Sequence, residues 1–155
     1  MPPDADHSAI GLLTTVATAL PAPTADIYGV GVDVVDLAEF QHMVAVGGDR
    51  WLRKIFTDAE LAYADGRTDR YATRFAAKEA VVKALGVGFR AGIAARTVEI
   101  ICDRDGRPRV LLHAAASRVA ADLRIGGVLV SMTRDGGLAA AAAWALSTHD
   151  EETTR

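Results

Sequence analysis

The rhythm of apolar and polar positions changes several times along the chain, and each change predicts an element. Ile27–Val35 (IYGVGVDVV) is β-branched and glycine-rich, with a lone charge, Asp33, near its end, and reads as a strand. From Asp36 to Val46 the spacing becomes helical, with Leu37, Phe40 and Val44 on one side, until Gly47-Gly48 interrupts it. Thr57-Asp58-Ala59-Glu60 has the form of a capping box. Thr57 accepts from the backbone three residues on and Glu60 reaches back, so a helix starts near Asp58 and stops before Gly66. The strongest helical run is Arg70–Leu85, closed by Gly86. Tyr71, Phe75, Val82 and Leu85 fall along one side of it, and its alanines permit close approach of other elements.

Beyond the glycine-rich loop Gly86–Gly92 the period returns to two. Thr97–Asp103 and Arg109–His113 read as strands joined around Asp105-Gly106. Ala114–Leu123 is a helix ended by Gly126-Gly127. Val128–Met132 and Leu138–Leu146 form a last strand pair about Asp135-Gly136. The alanine run 139–143 has helical propensity, but its place after a hairpin turn favours strand. Helices and strands in this order occupy a body over residues 27–146.

Outside the body lie an extension, residues 1–26, and a polar tail, residues 147–155. Pro21-Ala22-Pro23-Thr24 separates the extension from the body. Its apolar stretch, residues 9–20, follows Asp4 and Asp6 with no Lys or Arg, which argues against a secretory signal. It is also shorter than the roughly 20 residues a membrane span needs. It reads instead as a helix packing on the body or on a neighbouring subunit, and the protein as cytoplasmic and without a membrane partner.

Composition then narrows the chemistry. With 155 residues, half of them hydrophobic, the chain suits one soluble domain. A net charge of −3 provides no global basic field, which excludes nucleic acid as the expected partner. The single cysteine, Cys102, excludes an internal disulfide and a cysteine-based zinc cluster, and sits in an apolar run as a small core residue. The four histidines have no metal-ligand spacing. No serine elbow, P-loop or dinucleotide fingerprint occurs.

Two carboxylates remain. Asp33, at the end of an apolar strand, is costly to bury without a partner. Glu79 stands in the alanine-rich helix. If strand end and helix meet, the pair can share a hard cation such as magnesium, with phosphate oxygens and water completing its coordination. Asp33 could equally cap the following helix, and Glu79 could pair with Lys83 one turn on. Arg70, Arg74 and Lys78 form a basic stripe on the same helix, either a phosphate cradle or a solvated face.

These segments, taken together, resemble the holo-acyl-carrier-protein synthases. IYGVGVDVVDLAEF, FTDAEL, RFAAKEAVVKALG (Arg74–Gly86), DGRPRV and VSMTRD (Val130–Asp135) are similar to that family's blocks, in order, across residues 27–146. The resemblance implies transfer of the 4′-phosphopantetheine arm of coenzyme A to a serine of an acyl carrier protein. It also implies an α+β fold, mostly antiparallel sheet packed on a long helix, together with magnesium and a homotrimer with sites between subunits. By the same resemblance Asp33 and Glu79 hold the metal. Lys83 stands at the transferring phosphate, as base or charge stabiliser. Arg74 and Lys78 lie near coenzyme A, and Gly86, Pro108, Ser131 and Thr133 line its adenine-nucleotide side. Two positions depart from the pattern. Glu39 stands where the family has an arginine that faces the acidic carrier. Arg134 stands where it has a histidine, and could still bind a phosphate. These departures also admit a repurposed enzyme on the same scaffold, or a non-catalytic assembly subunit.

Overall fold

The computed structural model describes residues 27–88 and 92–148. The proposed helix in the extension lies outside them. Along the chain run β1 (Ile27–Asp36), α1 (Leu37–Ile55), α2 (Asp58–Ala64), α3 (Thr68–Ala84), β2 (Val98–Cys102), β3 (Pro108–Leu112), α4 (Ala114–Asp122), β4 (Ile125–Asp135) and β5 (Leu138–Ser147). A 3₁₀ turn, Ala95–Thr97, precedes β2. The α+β expectation is met: an antiparallel sheet of order β1-β5-β4 carries α3 across one face, and β2-β3 form a separate hairpin.

The alanine run is strand. Ala139, Ala141, Ala143 and Ala145 are buried at alternate positions of β5, the middle strand, with partners on both sides. Their smallness lets α3 lie close, and α3 answers with Ala72, Ala76, Ala80 and Ala84, all fully buried. The approach is closest at β1. A Cβ on Gly29 would come within 2.3 Å of the Ala84 carbonyl oxygen, and one on Gly31 within 2.0 Å of that of Ala80. Only hydrogen fits there, so strand and helix backbones touch.

Aromatic side chains fill the other flank of α3. Phe40 packs against Trp51 and Phe75 with ring centres 5.7 and 5.4 Å away, and Phe56 lies 5.1 Å from Tyr71. Phe40 and Phe56 are fully buried, each contributing about 2–3 kcal/mol by removal from water.

The break expected at Gly47-Gly48 is present: Gly48 takes non-helical φ 59° and ψ −164°, which kinks α1 into two segments, the second running through Trp51 to Ile55. Trp51 packs on Phe40 across the kink. Two other expected boundaries shift. The helix expected over Ala114–Leu123 ends at Asp122; Arg124, with φ 55°, turns the chain, and Gly126-Gly127 become the irregular start of β4 instead of the terminator. Finally, Ser147 still belongs to β5, so the polar tail begins after it. The last hairpin turns on Gly136-Gly137, both with positive φ, as a tight two-residue connection requires.

Candidate active site

Along β1 the side chains alternate faces. Tyr28, Val30, Val32 and Val34 point outward and are exposed, while positions 29, 31, 33 and 35 face α3. Because Gly29 and Gly31 bring the backbones together, the next inward residue, Asp33, is delivered to the side of α3. It does not cap the following helix. That role belongs to Asp36, whose Oδ1 accepts from the Glu39 N–H at 2.9 Å.

Asp33 and Glu79 line one cavity of about 260 Å³ together with Asp36, Glu39, Met43 and Phe75. Lys83 does not pair with Glu79 along the helix. Its Nζ reaches across to Asp33 Oδ1 at 2.8 Å and to the Val32 carbonyl at 3.0 Å, and stays half-exposed. Burial pushes the Glu79 carboxyl up from the ordinary range, the nearby Asp33 charge pushes it further, and Lys83 partly offsets both. A carboxylate whose ionisation is disfavoured by burial and by a neighbouring carboxylate is what a hard cation relieves. Among the described residues no cluster of three or more His, Cys, Asp or Glu has metal-binding form. An all-oxygen pair of carboxylates nevertheless suits magnesium, which keeps its remaining positions for water and phosphate.

The basic stripe is not a solvated face, and it is not one unit. Lys78 is fully buried. Its Nζ pairs with Glu60 Oε2 at 2.8 Å and donates to the carbonyls of Ala95 (3.1 Å) and Val98. All three ammonium hydrogens are used on the core side of α3, and every bond Lys78 makes ties α3 to α2 and to the approach to β2. Burial lowers the Lys78 pKa, with Glu60 and Glu99 opposing. Arg74 is different. It is 3% exposed, lies 3.9 Å above the Tyr63 ring, and touches only the Arg70 carbonyl (3.5 Å) and Cys102 Sγ (3.7 Å). Its Nε has no partner, and among the described residues no ion pair joins it to a carboxylate. A buried guanidinium so poorly matched is suited to an anion.

The remaining candidates lie elsewhere in the chain. Gly86 takes φ 75° just past α3, as a helix-terminating glycine does. Pro108 pairs with Cys102, placing it beside Arg74. Ser131 and Thr133 face outward from β4, on the side of the sheet away from α3, in a shallow pocket with Val32, Ala140, Ala142 and Trp144. Arg134 meets Asp69 at 2.6 Å, and Arg67 binds the same carboxylate at 2.9 Å. The Arg67 hydrogen bond outweighs burial, and Arg134 adds to it, so Asp69 is held below the usual carboxylate range. Within one chain these groups do not converge on Asp33 and Glu79.

Sequence reasoning missed a second network. Glu99 accepts from the Thr57 hydroxyl at 2.5 Å and pairs with His113 Nε2 at 2.8 Å. Only the capping box pointed there. Glu60 does complete it, yet the same carboxylate also holds Lys78 and the Ile100 N–H.

Residues 29–143 match the 4′-phosphopantetheinyl transferase superfamily. The holo-[acyl-carrier-protein] synthase of Geotalea daltonii is 41% identical over 118 residues, 74% of this chain and 94% of that protein. The enzyme of the same name from Geobacter sulfurreducens is 40% identical over the same shares. Among solved structures, holo-[acyl-carrier-protein] synthase from Neisseria meningitidis superposes with a TM-score of 0.72 at 32% identity, covering 77% of this chain and 98% of that one. A holo-(acyl-carrier-protein) synthase from Bacillus anthracis, in complex with CoA (3′,5′-ADP), gives 0.65 at 26%, covering 79% and 99%. The family match over residues 29–143, the curated relatives and the shared fold agree: the chain belongs to the 4′-phosphopantetheinyl transferase superfamily.

Proposed function

We propose that this protein transfers the 4′-phosphopantetheine arm of coenzyme A to a serine of an acyl carrier protein, with magnesium held by Asp33 and Glu79. The observation that carries this reading is the meeting of Asp33 and Glu79 at one cavity, with Lys83 bound to Asp33, from two elements some fifty residues apart in sequence. Magnesium supplies charge neutralisation to the diphosphate of coenzyme A. The carboxylates of Asp33 and Glu79 fix where that diphosphate lies. Lys83, mobile at its exposed end and already beside Asp33, places a positive charge, or a base, at the phosphorus that bears the pantetheine arm. The serine oxygen forms a bond to that phosphorus as the bond to the bridging oxygen breaks. Adenosine 3′,5′-bisphosphate leaves with the bridging oxygen, and the serine proton passes to a base at the site. Such a reaction depends on positioning and on cations around spreading negative charge.

The adenine-nucleotide side involves Arg74, Gly86, Pro108, Ser131, Thr133 and Arg134. Ser131 and Thr133 share the outward sheet face with Val30, Val32, Val34 and Leu129, each more than half exposed. An apolar face of this kind marks an interaction surface. It supports a homotrimer in which one chain's carboxylates meet a neighbour's nucleotide-binding residues. No helix among the described residues is long and apolar enough to cross a membrane, in keeping with a cytoplasmic enzyme. Glu39 and Asp36 add negative charge to the cavity wall, which favours a carrier less acidic around its serine than the family pattern implies.

Incubation with coenzyme A, magnesium and a panel of apo-carrier proteins tests the reading by intact-protein mass spectrometry. A phosphopantetheine mass gain on a carrier serine, abolished by a chelator, is expected. Absence of any gain across carriers of differing charge overturns it.

A further inference from the structure

The residue beside Glu79 on α3 has a role that the transfer reaction does not use directly. Lys78 and Glu60 are both sealed from solvent, and neither has a free hydrogen-bonding position on the side facing its partner. Glu60 Oε2 accepts from Lys78 and from the Thr57 N–H at 2.8 Å, and its Oε1 accepts from the Ile100 N–H at 2.9 Å. Lys78 adds the carbonyls of Ala95 and Val98. One ion pair thereby joins α3, the start of α2, the 3₁₀ turn and β2.

A buried ion pair is an expensive way to hold a core together, since a well-packed apolar pair is often as stable or more so. What it provides is direction. The inner face of α3 is built from Ala72, Ala76, Ala80 and Ala84. Alanines let a helix lie close to a sheet, but they offer few side-chain projections to resist rotation about the helix axis. Adjacent residues on a helix are about 100° apart, so fixing Lys78 fixes the bearing of Glu79. A rotation of about 20° would move a carboxylate some 5–6 Å from the axis by about 2 Å. Magnesium demands near-ideal octahedral geometry at about 2.1 Å and does not tolerate such a shift, whereas calcium, with its flexible coordination, does.

We propose that the Lys78–Glu60 pair is a rotational pin for α3, and that Lys78 is a positioning residue aligning Glu79 with Asp33 for magnesium. The inference rests on the reading of Asp33 and Glu79 as the magnesium pair. Its test is the double substitution Lys78→Met with Glu60→Gln, which removes both charges and keeps an acceptor for the Ile100 N–H. Magnesium and, separately, calcium are titrated calorimetrically into protein saturated with coenzyme A, and thermal unfolding is followed on the same samples. The expected result is a folded protein whose magnesium affinity falls about tenfold, the size seen for groups that orient metal ligands. Calcium affinity changes less, and kcat falls while KM for coenzyme A stays within about twofold. Glu60→Gln alone, with the same titrations, serves if the double variant does not fold, and the same selective loss of magnesium is expected of it. Wild-type affinities for both metals in a folded variant overturn the pin and leave the transferase reading intact, as does an equal loss of both that merely follows the melting temperature. Wild-type protein that binds coenzyme A but no magnesium overturns the metal reading itself, and the pin with it.

Discussion

Lys78 and Glu79 are neighbours in the chain and occupy opposite worlds. Lys78 enters a closed region in which every polar atom is matched: Glu60, Thr57, Glu99 and two backbone carbonyls surround it. Glu79 enters an open cavity with Asp33, Asp36 and Glu39, where like charges face each other and Lys83 alone offsets them. The comparison separates two uses of charge. In the closed region ionic groups are satisfied internally and act on geometry. In the open region they are left under-compensated, which is the state a cation and a diphosphate would complete.

The contrast can be broken most severely at Lys78. Lys78→Ala leaves Glu60 buried without its counter-charge, and a loss of about 3–5 kcal/mol in urea denaturation is expected. Glu79→Ala should do the reverse. Its carboxyl is already disfavoured by burial, so the melting temperature should hold within a few degrees. Transfer to a carrier serine should fall on the order of a hundredfold or more, several kcal/mol of charge stabilisation having been removed. A variant that keeps its activity would show that the open region is not the active site.

Gly31→Ala sits between the two regions. The added methyl carbon would lie 2.0 Å from the Ala80 carbonyl oxygen, so β1 and α3 must separate. A cost of about 1–3 kcal/mol is expected, together with weakened magnesium dependence as Asp33 moves from Glu79. Wild-type stability would mean that the backbone contact does not set the spacing.

The mildest effect belongs to the edge of the closed region. Burial opposes ionisation of Glu99, but the Thr57 hydroxyl and His113 outweigh it, so its carboxyl lies below the ordinary glutamate range. A carboxylate whose pKa is lowered on folding adds stability above its unfolded pKa and loses it as pH falls through the folded value. Glu99→Gln should therefore cost about 1 kcal/mol near neutral pH. The gap to wild type should close on acidification below the glutamate range, as followed by denaturant titrations at several pH values. A gap independent of pH would place the effect in packing instead.

Much of the fold was legible because its signals are local. The capping box at Thr57-Glu60, the glycine closing α3 and the alternation along β2 and β3 each depend on a few adjacent residues, and each appears where the spacing predicts it. Where expectation and structure part, the path of the chain in space decides: Arg124 rather than Gly126 turns the chain out of α4, and β5 runs on through Ser147. The candidate site divides in the same way. Asp33, Glu79 and Lys83 stood out as charges in apolar or alanine-rich surroundings, where an ionic group needs a reason to be. Lys78 has the same local signature, and helical spacing alone grouped it with Arg70 and Arg74.

Residue type and spacing by themselves determined the element order and the short set of ionisable groups with chemical potential, because propensity, capping and periodicity act within a few residues. Only the tertiary structure decided that Lys78 faces the core, that Lys83 turns to Asp33 rather than Glu79, and that Ser131 and Thr133 lie across the sheet from the carboxylates. Those outcomes depend on which elements meet and how closely, here set by two glycines in β1 and a row of alanines in α3. The energy of a charge is fixed by its surroundings in space, and its neighbours in sequence are only a fraction of them.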